Sequence, residues 1–128
     1  MVILDTSFLF AYFNKKDTNH KKAVLLASEL DNYTALLPAE VFEELMTVIT
    51  YKISSKEAVK VGQLLLDCDS PVKFMHSDEK TFKLSWKLFQ DLKSHKFSFI
   101  DCILIVLAKE FQCQIFTFDK KMDKIANS

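Results

Sequence analysis

The chain has 128 residues, 49% of them hydrophobic and 27% charged, which suits one globular domain with its own core and excludes a disordered or fibrous protein. Seventeen acids balance seventeen bases, and every base is lysine, so neither a general attraction to polyanions nor the bidentate arginine fork is available. Cys68, Cys102 and Cys113 are odd in number and lack C-x-x-C spacing, and His20, His76 and His95 stand singly, so no disulfide framework or zinc site is legible.

In chain order, Val2 to Leu4 is a short apolar run that ends on Asp5 and reads as a strand. The following segment carries Phe8, Leu9, Phe10, Tyr12 and Phe13, too apolar for a solvent-facing helix; it either packs in the core or meets a partner subunit. Ala35 to Leu37 reads as a second strand, and Pro38 fits the first turn of a helix whose apolar stripe is Val41, Leu45, Val48 and Ile49. Glu44 flanks that stripe and can point inward, Glu43 faces water, and Glu40 shares the Glu44 side as a weaker candidate.

Further along, Ser55 and Ser77 precede acid-bearing stretches as helix caps, with a third strand at Val72 to His76 between them. Phe82, Trp86 and Phe89 recur at helical spacing and are expected to pack on a sheet rather than stack bases. Phe99 to Phe111 is a helix apolar nearly all round, with Cys102 as a small core residue, and Gln114 to Phe118 is a last strand.

Strands separated by helical segments imply an α/β fold, a parallel sheet covered on both faces by crossover helices, in a single domain over residues 1–128. Gly62 is the only glycine, so neither G-x-G-x-x-G nor a P-loop can be written. Ile103 to Ala108, the most apolar stretch, is far too short to cross a bilayer, and the expectation is a cytoplasmic protein.

In open parallel sheets, ligands bind beyond the carboxyl ends of the strands. Asp5 and Asp119 lie there, each with a second reading as a helix N-cap. Thr117 shares a strand face with Ile115 and Asp119 and is placed to hydrogen-bond a neighbouring carboxylate. Asp101 falls in the same sector of its helix as Leu104, Ile105 and Ala108, so it needs a cation, a proton, or a capping box with Ser98. If Asp5, Glu44, Asp101 and Asp119 converge, their mutual repulsion calls for a hard cation, Mg²⁺ or Mn²⁺, because the set offers only oxygen. Waters kept by such an ion supply a nucleophile, and the ion offsets charge developing on a phosphate, which is the chemistry of phosphodiester hydrolysis.

With those positions assembled, the sequence resembles the PIN-domain family and, within it, the small VapC-like toxin ribonucleases of toxin–antitoxin pairs. The segments that carry the resemblance are Val2-Ile3-Leu4-Asp5-Thr6-Ser7, Glu44-Leu45, Ser98-Phe99-Ile100-Asp101 and Thr117-Phe118-Asp119. It implies a three-layer α/β/α sandwich around a parallel sheet of four to five strands and Mg²⁺- or Mn²⁺-dependent endonucleolytic cleavage of RNA. By the same resemblance, Asp5, Glu44, Asp101 and Asp119 are the metal-binding acids, Thr6 and Thr117 supply supporting hydrogen bonds, and Asp123 is an alternative for the last acid. A homodimer and an antitoxin whose segment blocks the site are the partners it implies.

The pattern departs from the family at Pro38, where many relatives carry Ser or Thr, and in ending at Ser128, short of a last edge strand. Without arginine, phosphate binding falls to lysines, for which Lys15, Lys16, Lys120, Lys121 and Lys124 flank two acidic turns and equally serve as solubilising charge. Two further classes remain as alternatives: a catalytically silent PIN-like module that binds RNA or protein, and an aspartyl-phosphate phosphotransfer domain, which Asp5 fits poorly for want of an adjacent acid.

Overall fold

The structure, a computed structural model, describes residues 1–127. Its elements run β1 (Val2–Leu4), α1 (Thr6–Phe13), α2 (His20–Ala27), a 3₁₀ turn (Leu30–Asn32), β2 (Ala35–Pro38), α3 (Ala39–Lys52) and α4 (Ser55–Leu66). The second half follows as β3 (Val72–Met75), α5 (Glu79–Asp91), α6 (Phe99–Phe111), β4 (Gln114–Phe116) and α7 (Lys120–Ala126). All strand pairs are parallel, in the order β3-β2-β1-β4, so the four-stranded sheet has the arrangement the sequence implied.

Val2, Ile3 and Leu4 are each 0% exposed, which requires cover on both faces of β1. Helices α1 to α4 pack among themselves, and α5, α6 and α7 form a second group that meets β1 through α6 and β4 through α6 and α7. Val41, Leu45 and Ile49 of α3 and Leu104 and Leu107 of α6 are buried in the core between them. Gly62 of α4 is where α3 comes closest: a Cβ there would lie 3.1 Å from Met46 Sδ and 3.4 Å from the Phe42 ring.

The strand order makes β1 a switch point. The chain builds outward from β1 through β2 to β3, then returns to place β4 on the other side. At such a point the connections leave in opposite directions and open a crevice at the carboxyl ends of the strands. Asp5 follows β1 directly, and Thr117 follows β4.

Several local expectations are corrected. Ser54, not Ser55, caps α4, accepting from Glu57 N at 3.1 Å, and Asp78, not Ser77, caps α5, accepting from Thr81 N at 2.8 Å. Ser77 instead hydrogen-bonds Glu40. The last strand ends at Phe116 because Thr117 and Phe118 turn aside to bond the β1–α1 junction. Phe8 and Leu9 of α1 lie in the core, Phe10 and Phe13 are partly buried against it, and Tyr12 is exposed. The aromatic residues of α5 do the opposite of what their spacing implied. Thr81 and Ser85 take the buried side of the helix, leaving Phe82 59% and Trp86 51% exposed.

Candidate functional site

Asp5 stands where β1 becomes α1. Its N–H donates to Phe116 O at 3.1 Å, continuing the pairing with β4, and its carbonyl accepts from Leu9 N at 3.1 Å, opening the helix. The side chain is therefore an N-cap by position, and Oδ1 accepts from Thr6 N at 2.8 Å. Oδ2 accepts from two hydroxyls, Thr117 Oγ1 at 2.6 Å and Ser7 Oγ at 3.0 Å. Those hydroxyls in turn accept from the amides of Asp119 and Phe118, both at 3.0 Å, so the two turns are tied together through one carboxylate. Asp5 is 5% exposed, and its pKa lies above the ordinary carboxylate range, chiefly because burial disfavours the charge. The Thr117 and Ser7 hydroxyls oppose that rise, and the neighbouring Asp101 charge adds to it.

The other acids arrive from separate elements. Asp119 caps α7, with Oδ1 accepting from Lys121 N at 2.9 Å and Met122 N at 3.2 Å. Asp101 closes a capping box at the start of α6: Ser98 N donates to its Oδ2 and its own N donates to Ser98 Oγ, both at 3.0 Å. Glu44 projects from the middle of α3, half-buried. Asp5, Glu44, Asp101 and Asp119 line one open cleft of about 480 Å³, together with Asp17 and Lys52.

Capping and cleft-lining are thus not alternatives. An ionised carboxylate has lone pairs on both oxygens, and a cap uses only one of the two. Among the described residues, Asp101 Oδ1, Asp119 Oδ2 and both oxygens of Glu44 accept no hydrogen bond.

The residues present fit a hard divalent cation. The donor set is wholly oxygen, and Thr6 Oγ1 is buried at the cleft without a hydrogen-bond partner. No three of the four acids bring ligand atoms within 4.8 Å of one another among the described residues. A small ion that retains several waters suits such spacing better than one stripped to protein ligands. The group that does meet that distance is Asp67, Cys68 and Asp69, on the exposed turn after α4.

The remaining candidates fall elsewhere. Asp123 is exposed and accepts from Asn127 Nδ2 at 2.8 Å, which leaves Asp119 as the acid in the cleft. Thr6 supports Asp5 through its backbone amide, not through its hydroxyl. Lys15, Lys16, Lys120 and Lys124 are exposed and do not line the cleft, and Lys121 Nζ is turned to His95 O at 3.2 Å. Ser7, Asp17 and Lys52 went unassigned in the sequence. Ser7 was within the Asp-Thr-Ser run, and Lys52 follows Glu44 and Val48 at steps of four on α3, a stripe that was open to view. Asp17 lies in a turn without periodicity and gave no signal.

A three-layer fold with an acidic cleft at the switch point of its sheet is that of a PIN domain, and the chain belongs to this family: the PIN domain model matches residues 2–128. Among solved structures it is similar to Mycobacterium tuberculosis VapC20, a sarcin-ricin loop cleaving toxin, at 19% identity and a TM-score of 0.86, covering 97% of this chain and 94% of that one. It is also similar to VapBC2 from Rickettsia felis, solved with a DNA fragment of its promoter, at 17% identity and a TM-score of 0.73, covering 99% and 95%. FitAcB from Neisseria gonorrhoeae gives 16% identity and a TM-score of 0.73, covering 99% and 94%. No curated protein matches the chain. No helix among the described residues is long and apolar enough to cross a membrane.

Proposed function

We propose that this chain is a Mg²⁺- or Mn²⁺-dependent endoribonuclease, the toxin of a cytoplasmic toxin–antitoxin pair, acting as one domain over residues 1–128. The observation that carries this reading is the arrival of four carboxylates, from four separate elements, on one cleft at the carboxyl end of the sheet. Asp5, Glu44, Asp101 and Asp119 would hold the ion. When bound, it supplies Lewis-acid stabilisation of a phosphodiester in attack and lowers the pKa of a nucleophilic water.

What the chain contributes is orientation. Thr117 and Ser7 fix the Asp5 rotamer, and the capping box fixes Asp101, so neither acid has to be ordered when substrate arrives. Burial raises the pKa of the Asp5 carboxyl, so a cation held beside it would favour its ionised form.

An antitoxin would close this cleft, and a second copy of the chain would cover the exposed ladder of Phe82, Phe99, Phe89 and Trp86, whose rings lie 5.5 to 6.1 Å apart in sequence along it. Acids Glu40 and Glu43 border the groove by Phe82, while Lys83 and Lys87 rise on the outer side of α5. A two-fold contact over the ladder can therefore set lysines of one copy against acids of the other.

The test is cleavage of a panel of structured and single-stranded RNAs in Mn²⁺ by the wild type and by Asp101→Asn, with Mn²⁺ binding followed by calorimetry. The reading requires wild-type cleavage lost in the variant with the fold retained. Undiminished cleavage by Asp101→Asn overturns the site, and Mn²⁺ binding without wild-type cleavage makes the chain a silent PIN-like module.

A further inference from the structure

Among the described residues, Lys52 is the single cation on the lining of the acidic cleft. It ends α3, and with Glu44 and Val48 it forms a stripe at steps of four, so it stands two turns, about 12 Å, along the axis from Glu44. Position at a helix C-terminus explains why a lysine is tolerated there. It does not explain the direction of the side chain. The ammonium turns back over the Phe10 ring, with Nζ 5.4 Å from the centroid, and Phe10 itself lines the cleft.

A counter-charge role does not account for this placement either. Among the described residues the ion pair is Lys83 with Glu79 at 3.2 Å, and Lys52 pairs with none of the cleft acids. It is a free cation held by an aromatic face at the rim of an anionic site. In a chain without arginine, no other basic side chain among the described residues lines the cleft.

We propose that Lys52 binds a phosphate of the RNA strand next to the one being cleaved, with Phe10 presetting its ammonium. The inference rests on the nuclease reading above and assigns the substrate-holding residue of that same site. Two turns along α3 from Glu44, Lys52 would set the strand's register across the cleft while the acids handle the reacting group.

The experiment compares wild type, Lys52→Ala and Lys52→Arg on an end-labelled single-stranded RNA of mixed sequence. Cleavage is read in Mn²⁺, and binding is read separately in the Asp5→Asn background over a series of salt concentrations. Lys52→Ala should raise KM about tenfold, the loss expected for one charged hydrogen bond, with kcat little changed. It should also reduce the slope of log affinity against log salt by about 0.7, one released counterion on a single strand, and Lys52→Arg should restore both.

If the wild type cleaves while Lys52→Ala keeps its KM and salt slope, the Lys52 assignment falls and the nuclease stands. Binding that loses its slope in Lys52→Ala without wild-type cleavage supports Lys52 and removes the nuclease. No cleavage by the wild type together with no binding by any form overturns both. A Lys52→Ala protein with a lowered Tm and a reduced kcat at unchanged KM makes the residue structural and overturns the proposal.

Discussion

The acidic cleft and the outer face of α5 depart from ordinary burial in opposite senses. At the cleft a carboxylate, Asp5, is enclosed to 5% exposure, whereas on α5 an indole and a phenyl ring stand half open to solvent. The cleft groups are anchored by backbone: of Asp5, Glu44, Asp101 and Asp119, three sit at helix starts, where amides hold one oxygen of each. The α5 rings rest on one another and on Phe99. One region is thus shaped in advance for a small charged ligand, and the other is an adjustable apolar surface that suits a broad cover.

The largest expected effect breaks the first half of that contrast. Asp5→Asn should lower RNA cleavage on the order of 10³-fold or more, because one ligand and one charge are lost together. Its stability should move the other way. Since the Asp5 pKa is raised in the fold, its contribution to stability is complete below the ordinary carboxylate pKa and is lost as pH climbs through the raised value. The metal-free wild type therefore gives up stability over that interval, and Asp5→Asn does not. Thermal melts in chelator across the acid-to-neutral range check this, with the variant's Tm at neutral pH equal to or a few degrees above wild type. Added Mn²⁺ should raise the wild-type Tm more as pH increases, since the ion competes with the proton. A variant that melts well below wild type at neutral pH would show instead that the charge holds the turn and that its hydrogen bonds outweigh the cost of burying it.

An intermediate effect concerns the α5 face. Phe82→Ser combined with Trp86→Ser removes much of the exposed ladder, and light scattering should read a monomer where the wild type reads a dimer. Because both side chains are half open, the melt of the monomer should change by no more than about 0.5 kcal/mol each in stability. A wild-type monomer, or a dimer indifferent to the pair of substitutions, removes the second copy from α5.

These two regions were not equally legible. Asp5, Asp101 and Asp119 were readable because strand ends and helix starts impose positions on the residues that follow them, Glu44 because it flanks the apolar stripe of its helix, and Thr117 because of the alternation of its strand. Caps and ligands need not be competing explanations, since a cap leaves the second oxygen of the carboxylate open. On α5, periodicity located an apolar stripe correctly but not what it faces: Thr81 and Ser85, small enough to let α6 approach, took the inner side instead. Helical spacing reports a shared face, and only the packing partner decides whether that face is inside. Cap positions slipped by one residue at Ser54 and Asp78 for a related reason, as adjacent polar residues offer the same cap chemistry. Lys52 escaped because a lysine near a helix end has a sufficient local explanation, and its turn toward Phe10 is a tertiary fact.

The smallest effect sharpens the contrast at the cleft floor. Thr6 Oγ1 has given up water without gaining a partner, a loss of about 1–3 kcal/mol for a buried hydroxyl. Thr6→Val keeps the branched shape and removes that group, so the metal-free protein should gain up to about 1 kcal/mol, a rise of a few degrees in Tm. If the hydroxyl completes the surroundings of a hydrated cation, the stabilisation conferred by Mn²⁺ should be smaller in the variant than in the wild type. Equal Mn²⁺ shifts would make Thr6 a packing residue whose hydroxyl serves no ligand. A fall in metal-free stability would mean that the oxygen has a partner after all, and the cleft would lose one of the features that mark it as built for a charge.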